Sequence, residues 1–175
     1  MIESPATHPA ANAQRPPLYL DDLAVGDQFK SAEHAMDEAQ IKAFAAQFDP
    51  QPFHLDDGAA RGTLFGGLAA SGWHTAAITM RLQVTSGLPI AGGIIGAGGE
   101  LSWPRPTRAS DVLHVVSEVQ QIQPSRSKPD RGMVTVRSET RNQHGDVVQV
   151  ATVRVVVPRR PGAQAPAPSP SPAHP

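Results

Sequence analysis

The sequence contains no cysteine, few aromatic residues and no excess of either charge. Without cysteine the chain can form neither a disulfide nor a thiolate metal site, and it has no cysteine nucleophile. The same absence fits a reducing compartment. Because 15 Lys and Arg face 16 Asp and Glu, there is no electrostatic case for binding nucleic acid or an anionic membrane surface.

Long apolar runs are also absent. No stretch reaches the roughly 18–20 apolar residues that a membrane-spanning helix needs. The N-terminus lacks the basic start and the apolar run that are typical of a secretory signal. The sequence therefore predicts a soluble, cytoplasmic protein with no membrane partner and no nucleic-acid partner.

The two ends of the chain differ in composition from its middle. Residues 1–17 and 159–175 are rich in Pro and Ala and show no apolar periodicity. Segments of this kind bury too little apolar surface to offset the entropy lost on ordering. We expect both ends to be disordered and residues 18–158, about 140 residues, to form one domain.

Two helices are predicted in the first half of the domain. Asp37 and Gln40 have the spacing of a capping box, and the amphipathic helix that follows stops before Pro50. A second helix is predicted at residues 68–84, opened by the glycines at 66–67. Its residues are apolar on nearly all sides, which indicates a buried helix.

The second half reads as strands rich in Val and Thr, with turn residues between them. Strands are predicted at residues 28–36, 94–103, 112–123, 132–142 and 147–158. A sheet of this size must bury one face, and the helix at 68–84 is the one long apolar element available to cover it. The sequence predicts an α+β domain in which a curved antiparallel sheet wraps around a long buried helix.

The loop after the first helix carries the strongest candidate for chemistry. Asp49 and His54 are separated by a segment that Pro50 and Pro52 stiffen. Such a loop can hold a carboxylate and an imidazole toward one point, as acid–base catalysis requires. The alternative is that Asp49 caps a turn and His54 is an ordinary polar loop residue. On the chemistry of these residues alone, the two interpretations stay open.

The glycines before the second helix are a further candidate. At Gly66 and Gly67 a ligand could approach the backbone closely, and N–H groups at a helix start favour an oxygen that carries negative charge. A thioester carbonyl that becomes an enolate is such an oxygen. A plain glycine turn is the alternative, and a phosphate-binding P-loop is excluded because no Lys-Ser/Thr pair follows.

Neither a metal site nor a serine nucleophile is predicted. His74 could join His54 and Asp56 around a metal, but the spacing matches no known ligand pattern, so a core or pocket-wall histidine is favoured. Ser71 lacks the surroundings of a nucleophile elbow and is expected to pack or hydrogen-bond within its helix.

Two arginines near the end of the first long strand are ambiguous. Arg105 and Arg108 could contact an anionic cofactor such as the phosphates of coenzyme A. Ordinary solvated arginines on the surface are the favoured alternative.

Three motifs in order resemble those of the MaoC-like dehydratases, the hot-dog-fold (R)-specific enoyl-CoA hydratases. They are Asp49-x-Gln51-Pro52-x-His54, then Phe65-Gly66-Gly67-Leu68, and then Trp103-x-x-Pro106 leading into Asp111. The similarity spans about residues 18–157. It implies a single hot-dog domain, which agrees with the architecture expected from the apolar pattern.

The resemblance also implies a reaction. Asp49 and His54 would together activate a water that adds to a trans-2-enoyl-CoA and gives an (R)-3-hydroxyacyl-CoA, within fatty acid metabolism. The N–H of Gly67 would polarise the thioester carbonyl. The remaining residues expected on the oxyanion or substrate side are Gly66, Gln51 and Ser71. No cofactor is implied, acyl-CoA is the expected small-molecule partner, and a homodimer is expected.

One departure and two alternative functions accompany this interpretation. Gln51 stands where the family commonly has Asn, which keeps the amide and lengthens its reach. A hot-dog acyl-CoA thioesterase is one alternative, although an Asp/His pair on one loop argues against it. A non-catalytic acyl-CoA-binding protein with the same fold is the other.

Overall fold

The computed structural model describes residues 16–162. The helices are α1 (Glu38–Phe48), α2 (Pro52–Leu55), α3 (Asp57–Arg61) and α4 (Gly72–Leu82), and the strands are β1 (Gln28–Lys30), β2 (His34–Ala35), β3 (Ile95–Ser102), β4 (Val112–Pro124), β5 (Arg131–Arg141) and β6 (Val147–Pro158). Within these residues no helix is long and apolar enough to cross a membrane. The predicted disorder of residues 1–17 and 159–175 falls mainly outside the described residues and stays a prediction.

The strands form one antiparallel sheet in the order β1-β4-β5-β6-β3, and β2 pairs separately with β4. The four long strands lie where the apolar pattern predicts them. The predicted strand at 28–36 is instead broken in two. At the break the hydroxyl of Ser31 accepts the backbone N–H of Val115 at 2.9 Å, so a side chain takes the place of a ladder bond.

Helix α1 forms as the capping pattern predicts. The side chain of Asp37 accepts a hydrogen bond from the backbone N–H of Gln40 at 2.8 Å, which satisfies one of the free donors of the first turn. Ile41 and Ala45 face the core. The helix stops at Phe48, and Asp49 occupies its C-cap.

Helix α4 begins later than predicted. Residues 66–67 do not open it, because the carbonyl oxygens that would begin its ladder are bonded elsewhere: those of Gly67 and Leu68 accept from Arg108 at 2.8 and 2.9 Å, and that of Ala69 accepts from His54 at 2.7 Å. Ser71 is the N-cap, and its hydroxyl accepts from the N–H of Trp73. The glycine-opened start was therefore wrong, and a wider π-helical turn extends the other end.

The buried face of α4 is bonded to the sheet through polar side chains. Thr79 Oγ1 lies 2.6 Å from Thr140 Oγ1 and accepts from Gln149 Nε2 at 3.2 Å. One turn further on, the amide of Gln83 donates to Ser138 Oγ at 2.8 Å. These buried groups are paired, as burial of polar atoms requires, and hydrogen-bond direction fixes the helix at one register on the sheet.

The opposite face of α4 is exposed in the single chain, although the helix is apolar on nearly all sides. Trp73 is 64% exposed and Met80 is 46% exposed. The edge strand β3 is exposed along its whole length. The single chain therefore leaves an apolar stripe on the helix beside an exposed strand edge.

Candidate active site

The loop between α1 and α2 brings the predicted acid–base pair together. Asp49 caps the end of α1, and Pro52 begins the short helical turn α2 that carries His54. Asp49 Oδ2 lies 3.4 Å from His54 Nε2, and the two side chains are 18% and 5% exposed. A carboxylate and an imidazole therefore meet at a point that is largely shielded from water.

The orientation of the His54 ring is fixed from behind. Its Nδ1 lies 2.7 Å from the backbone carbonyl oxygen of Ala69. A carbonyl oxygen can only accept, so Nδ1 carries the proton and donates it. In the neutral ring the lone pair is then on Nε2, the atom that faces Asp49.

The Asp49 carboxylate is held by two donors. Ser71 Oγ donates to Oδ2 at 2.6 Å, and Gln51 Nε2 donates to Oδ1 at 2.7 Å. The Ser71 hydroxyl is the main cause of a lowered pKa of Asp49; burial opposes the shift, and Gln51 and His54 add to it. Asp49 is therefore ionised at neutral pH.

Arg108 positions the segment behind the pair. Its guanidinium donates to the carbonyl oxygens of Gly67 at 2.8 Å and Leu68 at 2.9 Å and also to that of Phe65. Neither sequence interpretation of Arg108, as a phosphate contact or a solvated arginine, anticipated this structural role. The bonds fix the chain just before Ala69, the residue that orients His54.

A cleft of about 630 Å³ opens beside the pair. Asp49, Gln51 and His54 line it together with mainly apolar residues, which are Phe53, Leu64, Phe65, Ala70, Trp73, Trp103, Pro104 and Pro106. A small polar group set in an apolar concave surface is typical of a small-molecule site.

The predicted glycines take different places. Gly66 and Gly67 are not among the residues that line the cleft, whereas Gly72, the first residue of α4, is. Trp103 lies directly over Gly72, since a Cβ there would come within 2.8 Å of the indole ring. Sequence reasoning missed Gly72; its position after Ser71, a favoured N-cap type, is the signal that could have found it.

His74 lies apart from the cleft. It is buried and stacks on Phe44, with ring centroids 4.6 Å apart, and burial lowers its pKa. Its Nδ1 has no hydrogen-bond partner within the described part of the chain. Residues 16–162 contain no cluster of His, Asp or Glu that could hold a metal. His74 therefore lies in the core, as one of the two expected placements has it, but its Nδ1 is not satisfied there.

Comparison with known proteins shows consistent similarity. The family profile described as MaoC like domain matches residues 22–142. The crystal structure of a MaoC-like dehydratase from Rhodospirillum rubrum is 69% identical, with a TM-score of 0.81, over 82% of this chain and 99% of that chain. The uncharacterized protein YdeM of Bacillus subtilis (strain 168) is 33% identical over 81% of this chain and 100% of its own length.

An (R)-hydratase is also similar. The unliganded R-hydratase PhaJ1 from Pseudomonas aeruginosa has a TM-score of 0.65 and 28% identity, over 82% of this chain and 88% of that chain. The expected architecture is confirmed: the domain has the hot-dog fold, an antiparallel sheet with a helix against its concave face.

The Ser71 hydroxyl should control the ionisation of Asp49. In Ser71→Ala the carboxylate loses its main donor, so the pKa of Asp49 is expected to rise toward the ordinary value for aspartate. A ¹³C NMR titration of the Asp49 carboxyl group measures it. Ser86→Ala, at the far end of the same helical segment, is the control that should leave it unchanged. An unaltered pKa in Ser71→Ala would refute this assignment.

Proposed function

The chain belongs to the MaoC-like dehydratase family, and we propose that it adds water reversibly to a trans-2-enoyl-CoA to give an (R)-3-hydroxyacyl-CoA. The observation that carries the proposal is the Asp49–His54 pair at the edge of an apolar cleft. The family relationship and the similar R-hydratase support hydratase or dehydratase chemistry in general.

The geometry of the pair suggests how the water reacts. A water in the cleft would donate one hydrogen to the Asp49 carboxylate and present the other to the lone pair on His54 Nε2. As the water oxygen bonds to C3 of the enoyl group, Nε2 takes up the proton and the C2–C3 double-bond electrons move toward the carbonyl oxygen. The imidazolium then returns a proton to C2, and the ionised Asp49 stabilises the positive ring.

The enolate oxygen that forms needs a donor. The prediction that the N–H of Gly67 serves it stays a prediction, as does any substrate contact by Gly66, Gln51 or Ser71. The first turn of α4 offers a second donor: Gly72 lines the cleft at the positive end of an 11-residue helix. Both groups belong to the segment that Arg108 and Ser71 fix.

Two other functions remain as alternatives. In a hot-dog thioesterase a carboxylate assists hydrolysis, but the oriented His54 beside Asp49 has no clear part in that reaction. A non-catalytic acyl-CoA-binding protein would need the cleft and not the pair. The cytoplasmic location and the role in fatty acid metabolism stay predictions.

We also propose that the chain forms a homodimer. Exposed apolar side chains lie on one face of α4 and along the edge strand β3, among them Trp73, Met80, Ile95 and Leu101. An exposed edge strand is an association hazard for a lone chain, and exposed apolar area of this kind marks an interaction surface. A second copy would cover both features and close the cleft beside Trp73.

Removing either member of the pair should abolish most hydration. Asp49→Asn and His54→Ala are each expected to lower kcat/KM for crotonyl-CoA by about 10²–10⁴-fold, since each takes part in proton transfer. Loss of absorbance by the enoyl thioester measures hydration, and free thiol measures hydrolysis. The controls Asp130→Asn and His114→Ala lie outside the cleft lining and should behave as wild type.

Each outcome of this assay has a meaning. Wild-type turnover in either variant would contradict the assignment of the pair. Thiol release without hydration would favour the thioesterase. Binding of acyl-CoA without either reaction, at all chain lengths tested, would favour the binding protein.

A charge on the apolar stripe should break the dimer. Sedimentation is expected to give twice the chain mass for the wild-type protein and a monomer for Met80→Glu, because the glutamate would be buried unpaired at the interface. Val25 is also exposed, at 64%, but lies away from α4 and β3, so Val25→Glu is the matched control. A monomeric wild-type protein at micromolar concentration would contradict the proposal.

A further inference from the structure

We propose that Arg105 binds a phosphate group of the arm that carries the acyl thioester. The inference rests on the proposed function, because it concerns how an acyl-thioester substrate is held, and it adds a residue that neither the family motifs nor the acid–base pair includes. It follows from the charge, the position and the spare hydrogen-bond donors of this side chain.

Arg105 supplies the positive charge of the cleft. Among the residues that line the cleft it is the one Lys or Arg, and Asp49 is the one carboxylate. Phosphates are present on both carriers that such substrates use, coenzyme A and the phosphopantetheine arm of a carrier protein. A guanidinium is well suited to phosphate, since its planar fork can donate two parallel hydrogen bonds.

A second cavity adjoins the cleft at this residue. It measures about 400 Å³ and is lined by Arg105, Pro106, Arg108, Asp111, Asn142, Asp146 and Val148. Arg105 and Pro106 line both spaces. The cleft is mainly apolar, whereas five of the seven residues that line the adjoining cavity are polar or charged, so the acyl group fits the first and the polar carrier arm fits the second.

Of the two arginines that line the adjoining cavity, Arg105 is the one that can bind a phosphate. Arg108 is committed to backbone carbonyl oxygens. Asp111 accepts from the backbone N–H of Arg108 at 2.7 Å and from Asn142 Nδ2 at 3.3 Å. Asp146 pairs with Arg105, Nη1 to Oδ1, at 2.8 Å. A bound phosphate would therefore compete with Asp146 for the hydrogen-bond donors of Arg105.

Arg105 has donors to spare and a rigid support. Its side chain is 62% exposed and the ion pair joins one of its nitrogens to Asp146, while a guanidinium has five N–H donors. Pro104 and Pro106 fix the backbone on both sides. Next to them the buried hydroxyl of Thr107 accepts from Thr75 at 3.0 Å. A positioned donor loses less entropy when it binds.

The test compares thioesters whose carriers bear different phosphates, and the pantetheine form lacks the adenosine as well. Kinetics are measured with crotonyl-CoA, its 3′-dephospho form and crotonyl-pantetheine. In Arg105→Gln, the ratio of kcat/KM for crotonyl-CoA to that for crotonyl-pantetheine is expected to fall about tenfold, as for one lost charge-assisted contact. Taking the ratio cancels any general damage to the site. Arg131→Gln also removes an arginine paired with an aspartate, outside both cavities, and should keep the wild-type ratio.

The intermediate substrate distinguishes the sources of phosphate. If the effect of Arg105→Gln disappears with the 3′-dephospho substrate, the contact is to the 3′-phosphate; if it persists, the contact is to the diphosphate, one phosphate of which the arm of a carrier protein shares. An unchanged ratio in Arg105→Gln would overturn the proposal. Calorimetric binding of free CoA and of pantetheine gives the same comparison without turnover, so failure of the hydratase proposal would be seen separately.

Discussion

The hydrogen bond from Ser71 to Asp49 joins the parts on which the rest of the site depends. Asp49 is the C-cap of α1 and Ser71 is the N-cap of α4, so one bond of 2.6 Å connects the ends of two helices. It is also the main cause of the lowered pKa of Asp49. Ser71 therefore links the end of α1 to the start of α4 and also lowers the pKa of Asp49. One contact has both a structural and a chemical role.

Around this bond the site is built largely from backbone geometry. The carbonyl oxygen of Ala69 sets the tautomer of His54, and Arg108 fixes the chain before Ala69 by binding the carbonyls of Gly67 and Leu68. That segment cannot join α4, since its carbonyl oxygens accept from Arg108 and His54 and not from the N–H groups one turn further on. The late start of the helix is therefore what places both Ser71 and the first turn of α4 at the cleft.

The polar face between α4 and the sheet serves the same end. An apolar helix could slide or rotate on a sheet with little loss of contact, whereas the bonds of Thr79 and Gln83 to the strands have one geometry. A helix fixed in rotation and register keeps its N-terminus at a fixed distance from the loop of Asp49. The cost of burying these hydroxyls and amides is offset because they are paired.

Much of the fold could be predicted from the sequence because its signals are local. The capping pattern of Asp37, the proline after α1 and the turn residues between the long strands all act within a few residues. The pair Asp49 and His54 could be named for the same reason, as two reactive side chains on one stiff loop.

Other features depend on partners far along the chain. At the break in the first strand the backbone N–H of Val115 donates to the hydroxyl of Ser31, and before α4 the carbonyl oxygens of Gly67 and Leu68 accept from Arg108. Arg108 carries no local sign that its guanidinium binds backbone carbonyls. The polar residues of α4 only interrupt the apolar pattern in the sequence. Their role is visible once their hydrogen-bond partners on the sheet are known.

The central claim is that one pair, on one face of the substrate, both activates the water and returns the proton. Its most direct test is the stereochemistry of crotonyl-CoA hydration in D₂O, read from the configuration of C2 and C3 in the product. Because Asp49 and His54 act from a single side, hydroxyl and deuterium should add to the same face and give the (R)-3-hydroxy product. Addition to opposite faces, or an (S)-3-hydroxy product, would contradict the account.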